Sequence, residues 1–290
     1  MIQKNTSIQF PAVISDSFNE LMDFIQKQKE DKEIVIVSTK DNFPEELKSL
    51  TDDLHADYIN PLSDTFVSDL ADAVSHNKFV IWFAFADHET VLNLDSYSLK
   101  GIEYILVPVT PVAQITCEFI YDIWSDKPLE FFPLGIYNAV SVWTEAENDA
   151  YTQGLASVLR LGIQENSNFY EWFLGNMYEV YDKDSEFIIK LLEKKLGLFQ
   201  SRLDKKTTAQ RCVPHYGSMF ESCIRKSCPE MHDADIISLA CQMHSYLAWG
   251  KKILSMEEFY EMRDMFVAFD MSISETTAKA EIIIQNLQNE

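Results

Sequence analysis

Short apolar runs alternate with amphipathic segments through the first half of the chain. Residues 33–38 (EIVIVS), 79–86 (FVIWFAFA) and 102–109 (IEYILVPV) are β-branched or aromatic and too short for helices, so they predict strands. Residues 16–30, 44–54 and 65–76 carry helical periodicity between them, and Ser63-Asp64-Thr65 offers a cap before FVSDLADAV. Strand–helix–strand spacing of this kind predicts an open, mostly parallel sheet. The pattern changes near residue 145. From there to about residue 286 no strand is predicted; Tyr151, Leu155, Val158, Leu159 and Gly162 repeat at helical spacing. Residues 186–203, 233–254 and 256–269 predict further helices. The expected architecture is an α/β domain over residues 1–145 followed by an all-helical domain over 146–290.

Composition changes this picture at one point. The chain of 290 residues holds 8 glycines, where ordinary usage of about 7% gives roughly 20. The first is Gly101, and no two are closer than eight residues. Phosphate-binding turns such as GxGxxG or GxxxxGK[ST] are therefore excluded, because they need several glycines together for positive φ and close backbone approach. The remaining composition is that of a globular protein: 47% hydrophobic and 12% aromatic. The 46 acidic against 24 basic residues, net charge −22, argue against nucleic acid or an anionic membrane as partner. The N-terminus MIQKNTSIQF lacks an apolar signal segment, and five cysteines, an odd number, read as reduced thiols; both point to the cytoplasm.

Three stretches and a fourth short match carry a resemblance. Residues 101–117, GIEYILVPVTPVAQITC, are similar to RGI-x-F-I-Q-V-P-T-T-L-L-A-Q-V-D-S of the dehydroquinate synthase-like family. Residues 154–162, GLASVLRLG, resemble its G-L-A-E-V-I-K-Y-G. Residues 214–225, PHYGSMFESCIR, sit on L-N-F-G-H-T-F-G-H-A-I-E, and an ungapped extension puts Arg211 on the family's arginine. His232-Asp233-Ala234-Asp235 falls on H-G-E-A. The resemblance implies an α/β nucleotide-binding half, a helical metal-binding half, and cyclisation of a sugar phosphate with bound NAD and a metal held by one Glu and two His.

Position by position, the same comparison implies that this machinery is missing. The glycine triplet of the family falls on Phe83-Ala84-Phe85, and the Asp of that loop near Glu89. The metal-binding Glu falls on Ser157, the first metal-binding His on Ser218 and the nearby catalytic His on Ser222; only His232 matches a ligand. The lysine of the Glu helix becomes Arg160, another falls on Asp122, and a later K-N pair falls on Phe131-Phe132. A zinc centre with three protein ligands cannot be built from one histidine. The expectation is a member of this fold without NAD or metal. It would be a homodimer, or a heterodimer with a related subunit, and a partner or regulatory subunit in a biosynthetic pathway. The alternative is a repurposed lyase or cyclase-like enzyme acting on a small polar metabolite, with Asp122, Ser157, Arg160, His215, Ser218 and His232 as candidate catalytic residues.

Other groups carry less. Cys212-x2-His215 and Cys223-x4-Cys228-x3-His232 match no common zinc spacing, though a replacement metal site there stays open. Cys223 and Cys241 fall on helical patterns and read as core. Ser157 and Arg160 share a helix face with Gln153 and Gln164, which would bind an anion or carbonyl compound, face solvent, or pair the arginine with a carboxylate. His88-Glu89 and Asp122/Asp126 are acid–base types with nothing to show that they meet. No GxSxG elbow exists to anchor a hydrolase.

Overall fold

The computed structural model describes residues 4–7, 11–38, 45–54, 56–61, 63–85, 102–116, 133–205 and 215–274. The chain forms two compact units. The first comprises Met1–Ala146 and Tyr178–Val213, the second Glu147–Met177 and Pro214–Glu290. The chain thus leaves the first unit beside the expected boundary and returns to it.

The first unit is built on a seven-stranded sheet of order β1-β2-β7-β6-β5-β3-β4. The strands are β1 (Lys4–Ser7), β2 (Pro11–Ser15), β3 (Ile34–Val37), β4 (Asp57–Ile59), β5 (Phe79–Ala84), β6 (Glu103–Pro108) and β7 (Gly135–Ala139). Only β1 runs antiparallel, against β2; every other pairing is parallel. This is the mostly parallel α/β class that the sequence predicts. Helices α1 (Leu21–Lys29), α2 (Glu45–Asp53) and α3 (Phe66–Ser75) match the predicted segments, trimmed at their ends. The expected cap of α3 is realised differently. Thr65 is the N-cap residue without a side-chain cap bond; instead Ser63 Oγ accepts from the Thr65 N–H at 3.2 Å and Thr65 Oγ1 donates to Asp69 at 2.7 Å.

Parallel strands buried on both faces read as continuous apolar runs, and β5 and β6 do. Phe79, Ile81 and Phe83 alternate onto one face of β5 and join Val13, Phe24, Ile36 and Tyr137 in the core. Trp82 faces the other way and meets Phe66 and Tyr104. The short helix α4 (Pro111–Thr116) follows β6. Its Gln114 donates to the Ala139 carbonyl at 2.9 Å and accepts from Trp143 Nε1 at 2.9 Å, in the short helix α5 (Ser141–Thr144) after β7.

Helix α6 (Asn148–Glu165) opens the second unit and is followed by α7 (Ser167–Leu174). After α8 (Met177–Tyr181), α9 (Ser185–Leu203) belongs to the first unit, where it packs against α4. The second unit resumes with α10 (Ser218–Ser227), α11 (Asp233–Gly250) and α12 (Met256–Ala268). No strand occurs among the described residues of this unit. Helix α11 packs on α6, α10 and α12, and Phe220, Cys223, Ile224, Ile236 and Ala240 form the core between α10 and α11.

Candidate functional site

The candidate residues fall in two places: the carboxyl end of the sheet, and the faces of α6, α10 and α11.

In the sheet, β4 extends outward from β3, and the chain then returns on the other side of β3 to make β5. Strand order therefore reverses between β3 and β5, and in open parallel sheets ligands bind beyond the carboxyl ends at such a reversal. The residues there are Ser38 after β3 and Phe83-Ala84-Phe85 at the end of β5. Phe83 is 2% exposed in the core, and Phe85 packs partly buried against the same cluster. The strand end is tied to its neighbour: the Val109 N–H donates to the Ala84 carbonyl at 2.9 Å and Thr110 Oγ1 to the Phe85 carbonyl at 3.2 Å. No glycine follows until Gly101. A pyrophosphate needs a turn whose backbone it can approach closely, and this strand end supplies none. The residues present do not fit NAD held by a glycine loop.

In the second unit, α6 presents Gln153, Ser157, Arg160 and Gln164 on one face. Three of the four are engaged within the unit. Gln153 Nε2 donates to Asp233 Oδ2 at 2.9 Å, at the start of α11. Arg160, 2% exposed, donates from Nη1 to Glu221 Oε2 of α10 at 2.6 Å; the Glu221 side chain is 12% exposed. Gln164 Oε1 accepts from the Tyr216 N–H at 3.0 Å. Arg225 completes the set by pairing with Asp233 and by donating to Glu221 Oε1 at 3.4 Å. Burial works to lower the Arg225 pKa, but the hydrogen bond and charge of Asp233, with the charge of Glu221, outweigh it and raise the pKa. The contacts close into a ring, Gln153–Asp233–Arg225–Glu221–Arg160, that ties α6 to α10 and α11. Ser157 lies on α6 between the two ends of this ring. It is 1% exposed, and its Oγ has no hydrogen-bond partner among the described residues.

Ser157, Arg160, His215, Ser218 and His232 all belong to the second unit. Arg160 is paired with a carboxylate. Ser218 is the first residue of α10, its N–H bonded to the His215 carbonyl at 2.9 Å. His232 is exposed and precedes α11 as its N-cap residue, with no side-chain cap bond. Asp122, His88, Glu89, Asp126, Phe131, Phe132, Cys117 and Cys212 lie outside the described residues. Among the described residues no three His, Cys, Asp or Glu side chains are grouped to hold a metal ion. The hydroxyls of Ser157 and Ser218 are poor donors for zinc where carboxylate and imidazole are wanted, so these positions do not fit the family's metal. Cys223 and Cys241 are buried, and burial pushes the Cys241 thiol up to about 12, far from a metal-binding thiolate.

Sequence reasoning missed Glu221, Arg225 and Asp233. Their signal was available: Glu221 and Arg225 are i,i+4 on α10, and Glu221 stands where the motif has Gly. It also missed the support of the α10 N-terminus. His244 stacks on Tyr216 at 4.2 Å, and its Nδ1 accepts the Gly217 N–H at 3.2 Å. Gly217 has φ +83°, and a Cβ there would meet the Ala240 carbonyl carbon and oxygen at 2.8 Å.

Comparison with known proteins agrees with this architecture. No family model matches the chain. A 3-dehydroquinate synthase of Thermodesulfovibrio yellowstonii is 21% identical over 190 residues, 62% of this chain and 53% of the relative. One from Syntrophotalea carbinolica is 17% identical over 203 residues, 66% and 56% respectively. The chain thus spans about half the length of the curated relatives it matches. Among solved structures, a 2-deoxy-scyllo-inosose synthase complexed with carbaglucose-6-phosphate, NAD+ and Co2+ superposes with TM-score 0.71 at 12% identity, over 100% of this chain and 89% of that one. The 2-epi-5-epi-valiolone synthase of Streptomyces hygroscopicus, with NAD+ and Zn2+ bound, gives 0.69 at 10% identity, over 100% and 88%. No described helix is long and apolar enough to cross a membrane. The chain is thus similar in sequence to 3-dehydroquinate synthases over about two thirds of its length, and it shares the fold of the sugar phosphate cyclases.

Proposed function

We propose that this protein is a dehydroquinate synthase-like scaffold without NAD- and metal-dependent cyclase chemistry, serving as a partner or regulatory subunit in a biosynthetic pathway, as a homodimer or paired with a related, active chain. The observation that carries the reading is the face shared by α6, α10 and α11. Serines stand at two of the three positions where the family resemblance places metal ligands, and the surrounding charges are spent on one another through Arg160–Glu221 and Arg225–Asp233. The end of β5 supports it independently, because Phe83 is committed to the core of the first unit. On this face the described charged side chains are engaged in holding helices together rather than in moving a proton on a substrate.

The test is direct. The purified protein is expected to carry no stoichiometric transition metal by elemental analysis and to gain no thermal stability from NAD(H). Mixed with an active dehydroquinate synthase-like enzyme of the same organism, it is expected to co-elute and to change that enzyme's rate. Stoichiometric metal together with NAD protection would refute the reading; absence of any complex or rate change would refute the partner role.

A further inference from the structure

We propose that Ser157 and Arg160 form an oxyanion site which the carboxylate of Glu221 fills from within the chain. This deepens the reading above by stating what occupies the site. A guanidinium 2% exposed needs an anion, since removing an unpaired charge from water is prohibitive. Arg160 receives that anion from α10, with Nη1–Oε2 at 2.6 Å, a charge-assisted bond. The other Glu221 oxygen is taken by Arg225, so this carboxylate sits between two guanidiniums as a bound carboxylic acid or phosphate would. One helical turn before Arg160, Ser157 offers a hydroxyl that is 1% exposed and unpartnered among the described residues. Buried hydroxyls are nearly always hydrogen-bonded, so this orphan, one helical turn from a buried cation on the same helix face, leaves the proposed site suited to one more acceptor oxygen than Glu221 supplies. The family motif has Gly where this chain has Glu221, so the motif brings no carboxylate of its own to this spot. The ligand class is a small oxyanion, a carboxylate or a phosphate, and the chain carries its own.

The experiment is chemical rescue of Glu221→Ala in the full chain. Melting temperatures are read in sodium acetate, inorganic phosphate and chloride at matched ionic strength. The wild type gives the site-independent response to each salt, and rescue is read as the shift of the variant beyond that of the wild type. Glu221→Ala is expected to melt lower in chloride and to recover by about 5 °C at saturating oxyanion. Rescue by acetate identifies a carboxylate site, and rescue by phosphate alone identifies a phosphate site. The double variant Arg160→Met/Glu221→Ala is expected to lose the rescue. Glu221→Gln, which keeps the shape without the charge, is expected to melt lower and show no oxyanion response. If Glu221→Ala is insoluble in chloride, its recovery in acetate or phosphate is the same result read as yield. The proposal is overturned if no oxyanion rescues Glu221→Ala, or if the rescue persists without Arg160. These outcomes are independent of metal content and NAD binding, so either reading can fail alone.

Discussion

Replacing one glycine by alanine is expected to have opposite effects at two positions, and Gly217 is the informative one. Its φ of +83° lies in the left-handed region, where a side chain costs about 1–2 kcal/mol. The added Cβ would also lie 2.8 Å from the Ala240 carbonyl carbon and oxygen and 3.0 Å from the Cys241 nitrogen. These are backbone atoms of α11, so no side chain can swing aside; the helix itself must move, and overpacking of this kind costs about 1–3 kcal/mol more. Gly217→Ala is therefore expected to destabilise the second unit by about 2–5 kcal/mol. Gly197, inside α9, has nothing within 4 Å of the same added atom. There the change removes unfolded-chain entropy and is expected to stabilise by about 0.5–1 kcal/mol. Urea unfolding followed by amide exchange in α10 and α9 reads the two units separately. A Gly217→Ala protein as stable as wild type would refute the argument that α10 and α11 meet backbone to backbone.

Three further outcomes are expected. Phe83→Ala should cost about 3–5 kcal/mol, because it leaves a cavity in the sheet core, and should create no NAD-dependent thermal shift. His244 accepts a hydrogen bond at Nδ1, and burial holds its pKa below the ordinary value near 6.5, so the unfolded chain binds its proton more readily. The stabilisation from His244 is complete above the unfolded pKa and falls as acidification proceeds through and below it; His244→Asn should flatten this part of the stability profile between neutral pH and about 5. Ser255→Ala breaks a capping box with Glu258 and should cost about 1 kcal/mol, read as faster amide exchange in the first turn of α12.

What was legible in the sequence follows burial. Strands β3, β5 and β6 are buried on both faces, and their apolar runs announce them within a residue or two. Strand β7, GIYNA, is just as buried but holds Gly, Asn and Ala, so composition hides it; Gly135 is there because a Cβ would meet the Phe24 ring at 2.6 Å. Strands β1, β2 and β4 are short and polar or begin on proline, and only pairing makes them strands. The second-unit helices were visible as 3.6-residue periodicity. Arg160 was visible as a cation on a polar face, and pairing with a carboxylate was among its expected fates. Its partner was not determined, because 46 acidic residues give too many candidates and sequence spacing says nothing about contact between helices.

The first unit closes only when Tyr178–Val213 joins Met1–Ala146. On the ribosome its sheet emerges well before α9, and synthesis at about 5–20 residues per second separates the two by several seconds. Helix α6 emerges in that interval, with Leu155, Val158 and Leu159 destined for burial and neither α10 nor α11 yet made. The nascent chain thus exposes apolar surface from both units at once. For the same reason, cutting the gene at residue 146 would yield a sheet without its α9 helix rather than an independent domain.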